Sequence, residues 1–158
     1  MTKSLWQEIE THPFVADFRP EHKARLAALA KEARFHSDQV IFREGDDYSV
    51  LYLLGKGMVA LELDVPGHVL RVQTIYAGEV FDWSALLPHA GKHFQARALE
   101  DVTALAFEGG ELLASFQSDP EFGLAFMLRL MGVVSERLRA TRLQLLDMYS
   151  PVAKRAGA

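Results

Sequence analysis

Cysteine is missing altogether from this chain of 158 residues. Disulfides, thiolate nucleophiles, iron–sulfur clusters and zinc sites built on cysteine are therefore excluded at once. The lack also fits a reducing compartment, and a cytoplasmic location is expected. Long apolar runs are missing too. Nothing approaches the roughly 18 to 20 residues needed to cross a bilayer, and residues 1–10 hold no apolar segment of signal-peptide type. No membrane association is expected. Positive charge is not in excess: 17 Lys and Arg face 21 Asp and Glu, a net charge of −4. A surface made to neutralise a phosphate backbone needs the opposite balance. Motifs of catalysis are also lacking, with neither a G-x-S-x-G elbow nor a phosphate-binding P-loop. The histidines are His12, His22, His36, His68, His89 and His93, and only the last two lie close together. Without a His-x-His pair they read as scattered surface residues, so no metal site is expected. Glu44, Asp46 and Asp47 sit in a glycine-containing turn, where acids serve conformation. The chain is expected not to be an enzyme and to hold no catalytic residue.

What is present is the composition of one globular domain, 49% hydrophobic and 24% charged, with no repeat, linker or low-complexity tract. Three zones differ in periodicity. Residues 1–32 read as N-terminal helices, with Pro20 at a first helical position and Leu26, Leu29 and Ala30 forming a stripe behind it. Residues 33–107 read as about seven short strands punctuated by turns, among them Glu44-Gly45-Asp46-Asp47, Gly55-Lys56-Gly57 and Pro66-Gly67. Such spacing suggests a sandwich or barrel. Residues 110–149 read as helix again. A short helix, 110–116, is followed by Ser118-Asp119-Pro120-Glu121, a helix start with a cap, an early proline and an acid in the first turn.

The second of these helices is expected to run unbroken to Tyr149-Ser150-Pro151, a length on the order of 40 Å. Leu124, Met127, Met131, Val134, Leu138, Thr141, Leu145 and Met148 recur along it at alternating steps of three and four, the seam of a two-stranded coiled coil. Its first half fits packing on the chain's own strands equally well. From Leu138 onward the helix outruns them, so a homodimer seam comprising Met131, Val134, Leu138, Thr141, Leu145 and Met148 is expected. Arg129, Arg137, Arg139, Arg142, Lys154 and Arg155 face only Glu136 and Asp147 in this stretch. They form either a docking surface for an acidic partner or a solvated face flanking the seam.

Several stretches together resemble the cyclic nucleotide-binding domain of the Crp/Fnr type. Val40-Ile41-Phe42-Arg43-Glu44-Gly45-Asp46 is similar to its first strand and turn, and Leu51-Tyr52-Leu53-Leu54 with Gly57-Met58-Val59 to its hairpin. Ala77-Gly78-Glu79-Val80-Phe81 resembles the opening of the phosphate-binding cassette, Ala96-Arg97-Ala98 the strand that closes it, and Asp119-Pro120 the start of the dimerisation helix. The resemblance spans nearly the whole chain. It implies a single domain, 1–158, of α+β class and mainly β: a jelly-roll-like β-roll with N-terminal helices, a cassette at 78–97 and a long C-terminal dimerisation helix.

The cassette departs from the family's pattern. A second Gly-Glu pair is replaced by Asp82-Trp83, which removes the carboxylate expected on a ribose. The Arg and the Ser or Thr expected on a cyclic phosphate, five and four residues before Arg97, are Lys92 and His93. Lys92 keeps a charge but lacks the planar fork of arginine. The candidate ligand site comprises Gly78, Glu79, Phe81, Asp82, Trp83, Ser84, Lys92, His93, Phe94 and Arg97. The cluster Trp83, His89, Lys92, His93 and Phe94 is either a pocket remodelled for another nucleotide or anion, or a pocket filled by its own side chains with Lys92 solvated on a loop. Arg97 is either structural or part of the pocket. The resemblance implies a ligand-sensing regulatory module, with a cyclic or other nucleotide as the only cofactor in view. The alternative it offers is a ligand-free accessory subunit docked on a larger redox enzyme. Only residues 151–158 follow the long helix, too few for a helix-turn-helix, so DNA binding by this chain alone is not expected.

Overall fold

A capping box starts the first helix. The Ser4 hydroxyl accepts the Gln7 N–H at 3.3 Å, and the Gln7 side chain accepts the Ser4 N–H at 3.1 Å. The computed structural model describes residues 4–47, 49–87 and 92–156. The elements in order are α1 (Leu5–Thr11), a 3-10 turn (Pro13–Val15), α2 (Pro20–Leu29), then β1 (Lys31–Phe35), β2 (Val40–Phe42), β3 (Val50–Lys56), β4 (Met58–Val65), β5 (His68–Tyr76) and β6 (Val80–Phe81). A second 3-10 turn (Trp83–Leu86) precedes β7 (Gln95–Ala98) and β8 (Val102–Glu108), and α3 (Gly109–Ser118) and α4 (Pro120–Ala156) end the chain. The strands form two antiparallel sheets of four, ordered β1-β8-β3-β6 and β2-β7-β4-β5. This is the expected β-roll. The chain divides into two compact units, 1–123 and 124–158.

The core of the roll lies between the sheets and follows strand alternation. Val50, Tyr52, Leu54, Phe81, Val102 and Ala104 meet Phe42, Val59, Leu61, Ile75, Ala96 and Ala98 from the opposite sheet. On β3 and β8 the intervening residues Leu51, Leu53, Leu105 and Phe107 are buried as well. Both faces of that sheet are covered, which is why β3 reads as an unbroken apolar run. Two of the histidines read from the sequence as surface residues are buried: His22 packs on Phe122 with ring centroids 5.6 Å apart, and His12 ties the N-terminal helical segment to β3. Its Nδ1 accepts the Phe14 N–H at 3.2 Å, so Nε2 carries the proton and donates to the Leu54 carbonyl at 3.0 Å. The β3–β4 hairpin needs Gly57: its φ is +95°, and a Cβ there would lie 2.6 Å from the Asp101 carbonyl oxygen.

The secondary structure differs from the sequence reading in three places. β1 starts at Lys31, within the stretch assigned to helix, because pairing with β8 overrides the helix preference of Lys-Glu-Ala-Arg. β6 has only two residues and carries no period that a sequence could display. The C-terminal helices span residues 109–118 and 120–156 and not 110–149, with α4 continuing through Pro151. Proline costs a helix one hydrogen bond but does not end this one. The expected start of α4 is in place: Asp119 accepts the Phe122 N–H at 3.2 Å and pairs with Arg25 at 2.9 Å.

In the unit 124–158, Met131, Leu138, Leu145 and Met148 are exposed, as are Leu128, Leu146 and Tyr149 beside them. Val134 is half-buried, and Thr141 returns its hydroxyl to the Arg137 carbonyl at 2.9 Å. No helix among the described residues is long and apolar enough to cross a membrane.

Candidate ligand cassette

The cassette opens where β5 turns into β6. Gly78 has φ +93°, its N–H donates to the Leu54 carbonyl at 2.8 Å, and an added Cβ would lie 3.1 Å from Pro13. Glu79 turns back on the same turn: its carboxylate accepts the Tyr76 N–H at 2.6 Å, and its carbonyl accepts the Leu54 N–H at 2.9 Å. Phe81, placed in the ligand set by the sequence reading, belongs instead to the core. It is fully buried and stacks on Tyr52 with ring centroids 4.9 Å apart. Its position on a strand one residue beyond Val80 aims it between the sheets.

Asp82 follows with φ +64° and ψ +44°. This left-handed conformation suits the glycine that the resemblance places here, and Asp adopts it more readily than most residues. Its side chain turns inward. One carboxylate oxygen accepts the Ser84 hydroxyl at 2.9 Å, and the other is ion-paired and hydrogen-bonded to the Lys92 ammonium. The side chains of Lys92 and Asp82 are only 3% and 2% exposed. The ammonium also lies 4.9 Å from the centroid of the Phe42 ring on β2, a favourable cation–π geometry. The Lys92 carbonyl accepts the Gly45 N–H at 2.9 Å, so the acidic turn after β2 and the end of the cassette hold each other. Burial pushes the Asp82 carboxyl up to about 6, and the hydrogen bond and charge of Lys92, with the Ser84 hydroxyl, pull the other way without cancelling it. Lys92 is therefore not the solvated loop residue of one of the two sequence readings: an ammonium stays at such depth only beside a compensating anion.

The remaining candidates differ from this pair in burial and partners. His93 and Phe94 are exposed, and Trp83 is half-buried at the start of its 3-10 turn. His89 lies outside the described residues. Arg97 alternates with the core residues Ala96 and Ala98 and so projects from the other face of β7. Its Nε donates to Glu62 at 3.0 Å and a terminal nitrogen donates to the Asp38 carbonyl at 2.9 Å. Gln95 donates to the same Glu62 oxygen at 3.1 Å. Sequence reasoning named Asp82 and Lys92 separately and missed their mutual contact, although two simultaneous departures of opposite charge were a signal for it. It missed Glu62 and Phe42 as partners. Among the described residues no three acidic or histidine side chains come together as metal donors.

The model of the cyclic nucleotide-binding domain family matches residues 32–119. The chain belongs to that family. It is similar to a cyclic nucleotide-binding domain from Methylobacillus flagellatus KT, with a TM-score of 0.81 at 18% identity over 90% of this chain and 83% of that one. It is similar as well to the N-terminal domain of a transcriptional regulator from Streptomyces coelicolor A3(2), with a TM-score of 0.68, 26% identity and coverage of 88% and 95%. A third likeness is the catabolite activator protein of Thermus thermophilus, with a TM-score of 0.70, 26% identity and 87% of this chain against 63% of that one. No curated protein sequence matches the chain at a significant level.

Proposed function

We propose that this chain is a regulatory module of its family that does not grip cyclic AMP or cyclic GMP in the usual way. The observation behind this reading is the buried pair. Lys92 stands where the family's phosphate-binding arginine is expected, and it is already spent on Asp82. Trp83 removes the ribose-binding carboxylate, and Arg97 is held by Glu62 and the Asp38 carbonyl. In this reading the module works in the cytoplasm as a homodimer through Met131, Val134, Leu138, Thr141, Leu145 and Met148. An input at Trp83, His93 and Phe94, from another nucleotide or anion, biases the long helix.

A second reading is an accessory subunit docked on a larger enzyme without any ligand. The exposed apolar residues of α4, Met131 at 66% and Met148 at 73%, call for a protein cover, which this reading takes from the larger enzyme and the first takes from a second copy of the chain. A thermal-shift screen at pH 7.5 against cyclic AMP, cyclic GMP, cyclic dinucleotides, NAD(H), NADP(H) and ATP tests the first reading. A ligand selective for the folded state raises the melting temperature by mass action. The expected result is no shift with either cyclic mononucleotide; a clear shift with cyclic AMP that vanishes in Lys92→Met refutes the reading. A shift with another nucleotide supports the sensor, and silence throughout leaves the accessory subunit.

A further inference from the structure

We propose that Asp82 is a tethered counter-anion which holds, on Lys92 and Ser84, the place of an external phosphate oxyanion, and that the cassette accepts such an anion, free or esterified, once the Asp82 charge is removed. The proposal rests on the reading above and gives it a mechanism.

An ammonium and a hydroxyl converge on the two oxygens of one carboxylate, Lys92 on one and Ser84 on the other. A phosphate oxygen pair asks for the same two kinds of donor, charge-assisted and neutral. Lys92 is closed off from water on one side by the Phe42 ring, so its charge must be met by an anion inside the fold. Asp82 supplies that anion from a left-handed position that a glycine would fill with no side chain at all. Among the described residues Asp82 is the acid ion-paired with Lys92. Asp46, on the turn that bonds the Lys92 carbonyl, is taken by the Arg43 N–H at 2.9 Å, and Glu79 by the Tyr76 N–H at 2.6 Å. Finally, burial raises the Asp82 carboxyl to about 6. Its charge is thus removable by mild acid, whereas an ordinary carboxylate would keep it to near pH 4.

Isothermal titration of the full chain decides the matter. Sulfate, a tetrahedral anion of constant charge between pH 5.5 and 7.5, represents the free anion, and cyclic AMP the esterified one. At pH 7.5, Asp82→Asn and Asp82→Gly are expected to bind at least one of the two at least tenfold more tightly than the wild type. That gain is expected to disappear when Lys92→Met is added. The wild type is expected to gain more affinity for the same probe on acidification to pH 5.5 than the folded Asp82 variants do, any contribution of the exposed His93 beside Lys92 being common to both. Tighter binding of cyclic AMP than of sulfate identifies the ester as the source; equal or weaker binding identifies the free anion. Variants that remain folded by circular dichroism and gain nothing overturn the proposal, as does a gain that survives Lys92→Met. Should both variants fail to fold, the wild type alone decides, and equal affinities at the two pH values overturn it. A wild type that already binds cyclic AMP tightly at pH 7.5 contradicts the proposed function itself. A silent wild type with silent variants contradicts only the counter-anion.

Discussion

Two ion pairs stand on either side of the closing strand of the cassette, and they are built on opposite principles. Lys92 and Asp82 are 3% and 2% exposed, and each is the other's charged partner. Arg97 and Glu62 are 30% and 10% exposed, and both have additional bonds, Arg97 to the Asp38 carbonyl and Glu62 to Gln95. In the first pair, attraction is set against a large desolvation cost, so its net contribution is small and the cost of breaking it is large. In the second, Arg97 keeps contact with water, and Glu62, itself buried at 7% exposure as a whole residue, is held by two donors, so losing Arg97 still leaves its carboxylate with Gln95. The fully enclosed pair therefore works as a lock, and the one whose arginine reaches water works as ordinary strand-to-strand fastening. Depth decides which is which.

The largest expected effect comes from breaking the lock on one side. Lys92→Met leaves Asp82 buried without its cation, which should lower the unfolding free energy by about 3 to 5 kcal/mol at pH 7.5 in a urea titration. A loss below about 1 kcal/mol would mean that Asp82 swings out to water and that the contrast with Arg97 is false. Replacing both partners, Lys92→Met with Asp82→Leu, should recover most of the loss, since an apolar pair leaves no charge behind.

Acid probes the same pair without mutation. The Asp82 carboxyl is raised from 3.8 to about 6, so the folded state binds this proton more tightly than the unfolded chain does. Between roughly pH 4 and pH 6 the folded form holds a proton that the unfolded form has lost. The stability from this group is therefore full below about pH 4 and is lost as pH rises through about 6. The whole span is on the order of 3 kcal/mol. Carbon-detected NMR of the Asp82 carboxyl should show a midpoint near 6. A midpoint below 4 would show that Lys92 outweighs burial, making the pair an ordinary salt bridge.

On the other side, Arg97→Ala should cost about 1 to 2 kcal/mol, the loss of hydrogen bonds to Glu62 and to the Asp38 carbonyl. Glu62, although buried, keeps the Gln95 hydrogen bond, so its charge is not left without a partner. A cost equal to that of Lys92→Met would erase the distinction between the two pairs.

The sequence displayed the roll through features that are local. Strand alternation, the Gly57 turn and the Asp119-Pro120 helix start each act within a few residues, and each is where the pattern put it. What could not be read depends on partners distant in the chain. β1 is a strand because β8 lies beside it, more than 60 residues away. Lys92 is buried because Phe42 and Asp82 enclose it, and neither adjacency leaves a period. Phe81 shows the same limit from the other direction: a residue beside the cassette in sequence is turned into the core by strand parity.

The smallest effect completes the series in depth. Arg19, before α2, meets Glu121 in the first turn of α4 at 3.4 Å, with side chains 64% and 78% exposed. Here both charges keep most of their water, so pairing gains little over solvation and orders two long side chains. Glu121 also sits at the positive end of a helix and stays favourably placed when Arg19 is gone. Arg19→Ala should therefore cost less than about 0.5 kcal/mol, and that cost should fade in about 0.5 M salt. If it instead approached the cost of Arg97→Ala and resisted salt, exposure would not rank these pairs. The reason for treating Lys92–Asp82 as a lock would then have to come from its chemistry alone.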